Sequence, residues 1–373
     1  MNVSCALLKN NTRRFNSQIS GMVASAILSL CLQQSVAHAE SSDTVELVDA
    51  VQAMSKAIDT PPRLQWEANY GYCGEVALIS AGLYYGQYVS QFDARAIASK
   101  GANQSTEKSQ LLLGVNDTYA AAQMRLKAVA WKTDSKPNAV DFLAWVKGNI
   151  VSGYPVIIGV YMNKHLFEGS NDPNAGEVEY DHIVPVSGVS SSHPLKKPAK
   201  YYDDDVLTFS DNGLWSGNGE PTFIYSYSFE SFQANRKEAN SPSGEVYALR
   251  RKGGNYGIAI TGIIDKDGEA LPVRLIANVN YEKPSMKEGS NNRPAPSDIN
   301  LKVKVSGLQP GKSYTLYRYS NFKSVPVSSF NANASKAERK WKIKIDSGST
   351  YSINEKIKSN QIAVYRAVPD TAP

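Results

Sequence analysis

The chain has 373 residues, of which 42% are hydrophobic, 10% aromatic and 20% charged, a globular composition with apolar material for more than one packed core. A mostly disordered protein is excluded. Lys and Arg number 40 against 35 Asp and Glu, a formal charge of +5, which is too small for the extended basic face that nucleic-acid binding needs.

Read in chain order, the first segment is an export signal. Lys9, Arg13 and Arg14, with no acid among the first 39 residues, precede an apolar run at 21–32 that is too short to cross a bilayer. Val36-Ala37-His38-Ala39 then supplies the small-x-small pattern of a cleavage site. The reading is a signal peptide over 1–39, a mature start near Glu40 and a secreted or periplasmic protein. Those three cations are three of the five net charges, so the mature chain would carry +2. Leu30 stands where a lipid anchor on Cys31 would need a small residue, and no later run is long and apolar enough to span, so no membrane anchor is expected.

Residues 40–60 read as a short helical arm before Pro61-Pro62. Next comes Asn69-Tyr-Gly-Tyr-Cys-Gly-Glu75, followed by Val76, Ala77, Ile79, Ala81, Leu83 and Tyr84 at spacings that form a buried helical face. Cys73 therefore sits at or just before a helix start. There the backbone N–H groups and the positive end of the helix dipole lower a thiol's pKa below its ordinary value of about 8.5. Gly71 and Gly74 permit a tight backbone and close approach of a substrate chain. Cys5 and Cys31 fall in the export signal, so Cys73 is expected to be the one thiol of the mature chain, with no internal disulfide. The competing reading is a small buried hydrophobe.

Residues 91–150 read as further helices, including 119–130 and 140–151. The run at 155–162, Pro-Val-Ile-Ile-Gly-Val-Tyr-Met, reads as a strand, as do 182–189 and 205–210. Asp203-Asp204-Asp205 is expected to be a solvated turn, because three adjacent acids cannot all face one cation on a strand. Trp66, Trp131, Trp145 and Trp215 read as core or cleft wall, the last placed to shield an ion pair at Asp211. The ligands are too few for a zinc set, and no phosphate loop occurs, so no metal or organic cofactor is expected.

A cysteine nucleophile needs an imidazole as base, and the mature chain offers His165, His182 and His193. His193 lies in a polar turn, and His165 follows a strand into a surface loop. His182 opens the β-branched run His-Ile-Val-Pro-Val-Ser-Gly-Val and so sits on a rigid element. If 182–189 and 205–210 pair as an antiparallel hairpin, the end of the second strand returns beside His182. That brings Asp211 to the ring, or Asn212 after a one-residue slip in register.

Gly-Tyr-Cys73-Gly-Glu at a helix start, Pro-Val-Ile-Ile-Gly-Val, Asp-His182-Ile-Val-Pro-Val and Phe-Ser-Asp211-Asn-Gly together resemble the papain-like cysteine peptidases. Their order and spacing are most similar to the compact branch that holds bacteriocin-leader-processing peptidases and phytochelatin synthases. The resemblance covers roughly 60–220. It implies a helix bearing the nucleophile packed on an antiparallel sheet that carries the base and its orienting group. Cys73 would be the nucleophile, His182 the base and Asp211 the third member. The family places an oxyanion-holding Gln six residues before the nucleophile, and here that position is Glu67, which cannot donate unless protonated. Asn69 is the expected oxyanion donor, with Gln65 as the alternate.

From about residue 265 short alternating runs separated by turns replace this pattern: 271–279, 299–305, 313–319 and 339–345. Period two argues half-buried antiparallel strands. The strand-turn-strand at 305–314 is similar to fibronectin type III-like modules. The expected fold class is therefore α+β: a papain-like domain over 40–264, then a β-sandwich over 265–373 that binds a partner or buttresses the first domain. The expected function is a secreted thiol hydrolase acting on a peptide or protein substrate through a thioester. The alternatives are an acyltransferase of transglutaminase type on the same fold and a non-catalytic binding protein.

Overall fold

The computed structural model describes residues 54–60, 63–135, 137–211, 224–277 and 286–370. The export signal, Cys5, Cys31, Asn212 and Trp215 lie outside them. Elements follow in the order β1 (Ser55–Ala57), α1 (Cys73–Tyr84), β2 (Gln87–Tyr88), α2 (Gln91–Ala98), α3 (Asp117–Gln123), β3 (Leu126–Ala130), α4 (Ala139–Val151), β4 (Val156–Met162) and α5 (Lys164–Phe167). Then come β5 (His182–Ser190), β6 (Val206–Ser210), β7 (Ile224–Ser228), β8 (Gln233–Ala234), α6 (Arg236–Ala239), β9 (Tyr247–Arg250) and β10 (Gly257–Ile263). The chain continues through β11 (Val273–Ala277), β12 (Asp298–Ser306), β13 (Ser313–Tyr319), β14 (Arg339–Lys344), β15 (Thr350–Lys358) and β16 (Ala363–Pro369).

The architecture is mixed α+β with antiparallel sheets. One sheet runs β3-β10-β4-β5-β6-β7, with β1 also pairing with β5 and β9 continuing from the far end of β4. Every residue of β4 is buried, which is why this strand reads as an unbroken apolar run rather than an alternation. Nearly all of α1 is buried too. Its sequence has no polar stripe because it has no solvent face.

Two smaller sheets follow, β11-β12-β15 and β14-β13-β16-β2. On β12, Ile299, Leu301, Val303 and Val305 are buried while Asp298, Asn300, Lys302 and Lys304 face solvent. Those apolar residues meet Leu316, Ile343 and Tyr365 of the other sheet in a shared core. Each such side chain contributes about 1.5–3 kcal/mol.

The two halves of the chain are welded together. β2, from the first half, pairs with β16 through Tyr88 opposite Ala363 and Gln87 opposite Val364. Another core cluster joins Ala94, Ala98, Leu126 and Ile260 to Tyr317, Tyr319, Phe330 and Val368. Gly86, just before β2, has φ +72°, and a Cβ there would lie 2.9 Å from Val273. Only glycine lets the chain cross at that point.

Three local expectations are corrected. Ser55–Ala57 is a strand, held by the edge of β5. The expected helix over 119–130 ends at Gln123, because Arg125 takes φ +60° and Leu126–Ala130 pair with β10. Asp205 is not solvated: it is fully buried, and Lys147 Nζ lies 2.6 Å from its Oδ2.

Candidate active site

The site is built at the start of α1 and the start of β5. Asn69, Tyr70 and Gly71, which lead into α1, have φ of 51°, 68° and 78°. The two that are not glycine cost about 1–2 kcal/mol each in this left-handed region, so surrounding groups must hold them. Arg95 does so. It lies on α2, whose start is capped by Ser90 accepting from Asp93 N, and its side chain is wholly buried. The guanidinium donates to the carbonyls of Asn69 (2.8 Å) and Gly71 and to Glu75 Oε1 (2.6 Å). Its Cζ stands 3.5 Å from the centre of the Tyr72 ring. Glu75 Oε1 also accepts from Leu111 N at 3.0 Å.

The second half of the chain grips the same loop. Asn69 N donates to Glu288 Oε2 (2.9 Å), Asn69 Oδ1 accepts from Gly289 N (2.8 Å), and Asn69 Nδ2 donates to Ser290 O (2.8 Å). The Asn69 amide, expected to hold an oxyanion, is thus engaged at both ends by this segment. Gln65 is buried, and its Oε1 has no hydrogen-bond partner among the described residues. Burial pushes the Glu67 carboxyl up from its ordinary range.

Cys73 is the first residue of α1, after Tyr72 as N-cap. It is fully buried, in a cluster with Leu111, Tyr180 and Ile183. In the full chain it is disulfide-bonded, and the other two cysteines, Cys5 and Cys31, lie outside the described residues. The expectation of no internal disulfide concerns the mature chain, from which Cys5 and Cys31 would both be removed. Gly74 shows how closely α1 meets β5. A Cβ there would lie 2.1 Å from Leu111 O and 3.1 Å from Ile183 Cδ1, so glycine is required for the first turn of the helix to reach the start of the strand.

β5 and β6 form the expected antiparallel pair, with Val186 opposite Phe209. Continuing that register puts Asp211 opposite Val184, diagonal to His182 on the same face, and the His182 and Asp211 side chains rest 2.8 Å apart, Nε2 to Oδ1, both buried. An ionised carboxylate only accepts, so Nε2 carries a proton, and in the neutral ring Nδ1 would present a lone pair. Nδ1 is buried with no hydrogen-bond partner among the described residues. Tyr247, on β9, donates to Asp211 Oδ2 at 2.6 Å, and its ring stacks on the imidazole at 6.0 Å. Burial and the Asp211 charge push the Tyr247 hydroxyl well up, so it stays a donor.

The start of β5 is fixed independently. Asp181 Oδ2 accepts from Met162 N and from both terminal nitrogens of Arg236, each at 2.8 Å, and Asp181 Oδ1 accepts from Glu177 N at 2.7 Å. The other histidines have no such setting. His193 is half-buried, stacks on Tyr202 at 3.7 Å and lies 3.7 Å from Asp204. His165 lines an open surface depression with Asn171 and Lys237. Among the described residues no three His, Cys, Asp or Glu side chains converge as a metal site, and no helix is long and apolar enough to cross a membrane.

Sequence reasoning missed Arg95, Tyr247 and the grip of 286–291. Glu75, inside the cysteine motif, was a signal: an acid in the first turn of a wholly buried helix needs a buried cation. Comparison with family models, curated proteins and solved structures found no match to this chain.

Proposed function

We propose that the protein is a papain-like thiol hydrolase cleaving a peptide or isopeptide bond, with Cys73 as nucleophile, His182 as general base and Asp211 as the group that orients the ring. One observation carries this reading: a buried imidazole whose Nε2 is held by an acid and whose Nδ1 has no hydrogen-bond partner among the described residues, on the strand against which the nucleophile's helix packs. Reduced Cys73 would lose its proton to Nδ1 and attack the carbonyl, and the imidazolium, supported by Asp211, would return that proton to the leaving amine. Water would then hydrolyse the thioester. Backbone N–H groups at the start of α1 and the Gln65 amide are the candidates to hold the oxyanion. In this reading the β11–β16 portion is a sandwich that buttresses the nucleophile loop, and the signal peptide delivers the enzyme outside the cytoplasm.

Turnover requires Cys73 as a thiol: in the uncleaved chain that takes a reductant, and removal of the expected export signal takes away both possible cysteine partners, Cys5 and Cys31. The test is a peptide library incubated with reduced protein and a labelled amine, with products weighed by mass spectrometry. Hydrolysis products that vanish with Cys73→Ala, by a thousandfold or more, support the reading. Amide products carrying the label would place the protein with acyltransferases instead. The full burial of Cys73 favours a second reading, a secreted binding protein that keeps the fold, and absence of either product under reducing conditions would select it.

A further inference from the structure

We infer that the cavity between the two halves of the chain, at the C-terminal end of α1, binds a small organic carboxylate with an apolar body. The cavity measures about 330 Å³ and lies between Tyr84, Tyr85 and Tyr154 on one side and Leu271, Pro272 and Val273 on the other. That volume suits a small-molecule site rather than a chain of residues. Arg274 and Arg366 also line it, and among the described residues no acid does.

Neither cation has an ion-pair partner among the described residues. Arg274 is half-buried with its Cζ 3.5 Å from the centre of the Tyr84 ring, and it makes no hydrogen bond or ion pair among the described residues. Arg366 is almost wholly buried. It donates to the carbonyls of Tyr85 (3.1 Å) and Tyr365 (2.8 Å) and to Gln87 Oε1 (3.0 Å), all neutral acceptors, while its Nε has no partner. Asp265, whose charge reaches Arg366, spends its oxygens on the N–H groups of Asp267, Gly268 and Ala270. Burial lowers the Arg366 guanidinium to about 10.

A buried cation hydrogen-bonded only to neutral acceptors is costly, and a carboxylate entering the cavity would supply charge through directed N–H bonds. The apolar walls select the body of the ligand. α1 separates this cavity from Cys73 by 12 residues, about 16 Å of helix rise, so the site is distinct from the candidate active site and does not depend on its chemistry.

The test is isothermal titration calorimetry of the full chain with N-acetyl-L-phenylalanine, its uncharged amide and inorganic phosphate. The acid should bind saturably below about 10 mM, the amide and phosphate at least about tenfold more weakly. Arg274→Gln should weaken the acid about tenfold with the melting temperature unchanged. No saturable binding of the acid, equal binding of the amide or of phosphate, or an unaffected Arg274→Gln variant would overturn the inference. Should that variant fail to fold, the acid-against-amide comparison decides alone.

Discussion

The candidate site and the outer face of the C-terminal sheets use charge differently. Around the candidate site, ion pairs are buried: Arg95–Glu75, Lys147–Asp205, Arg236–Asp181 and the His182–Asp211 contact have at most 14% side-chain exposure. On the outer face of β12 and β15 the pairs Lys356–Asp298 and Lys358–Asp298 stand mostly in solvent, while Glu355 of β15 is buried beside Arg318 and Arg339. Exposed pairs are screened and add little to stability. Buried pairs cost desolvation, and an apolar replacement of both partners would serve stability as well. Their placement in the first half follows the backbone they hold, namely the left-handed loop before Cys73 and the start of β5.

Breaking the buried set should have the largest effects. Arg95→Met strands Glu75 and releases the carbonyls of Asn69 and Gly71, and should cost about 3–5 kcal/mol in urea denaturation. Arg95→Met with Glu75→Leu should recover most of that, and failure to recover would mean the carbonyl contacts, not the charge pair, dominate. Lys147→Met should cost about 3 kcal/mol because Asp205 is left buried without its cation. Tyr247→Phe removes one donor from Asp211 and should cost about 1–3 kcal/mol. Hydrolysis by this variant should fall about tenfold through kcat, with KM little changed.

The exposed set should be nearly silent, and its effect confined to acid. Lys356 and Lys358 hold the Asp298 carboxyl down to about 2 from its ordinary value of 3.8. A depressed folded-state pKa contributes stability that is present above the unfolded value and lost as pH falls through the folded one. Asp298→Asn should therefore match the parent at pH 2, differ from it slightly at pH 7, and lose the acid-dependent step between about 4 and 2. A large difference at pH 7 would contradict the contrast between the two regions.

Much of the site's frame was legible because its determinants are local. The helix starting at Cys73 was marked by glycines and a following apolar face, and the β5–β6 hairpin by two β-branched runs that place Asp211 beside His182. What escaped reading depends on partners far along the chain. Asp205 looked like one of three solvated acids, but Lys147 lies 58 residues before it. Leu126–Ala130 alternates too weakly to separate strand from helix, and its pairing with β10 decides the matter. Asn69 resembled an available amide because nothing near it names Gly289 and Ser290, some 220 residues later. Tyr247 carried no signal, being one more aromatic residue in a strand.

The central claim is that the imidazole of His182 activates the sulfur of Cys73. Reduced full chain should be treated with iodoacetamide at pH 6, where a thiol of ordinary pKa reacts slowly, and the Cys73 peptide followed by mass spectrometry in the parent and in His182→Ala. Rapid modification of Cys73 in the parent and at least tenfold slower modification in the variant are predicted. Equal rates in the two proteins, or a Cys73 that reacts only after denaturation, would contradict the account.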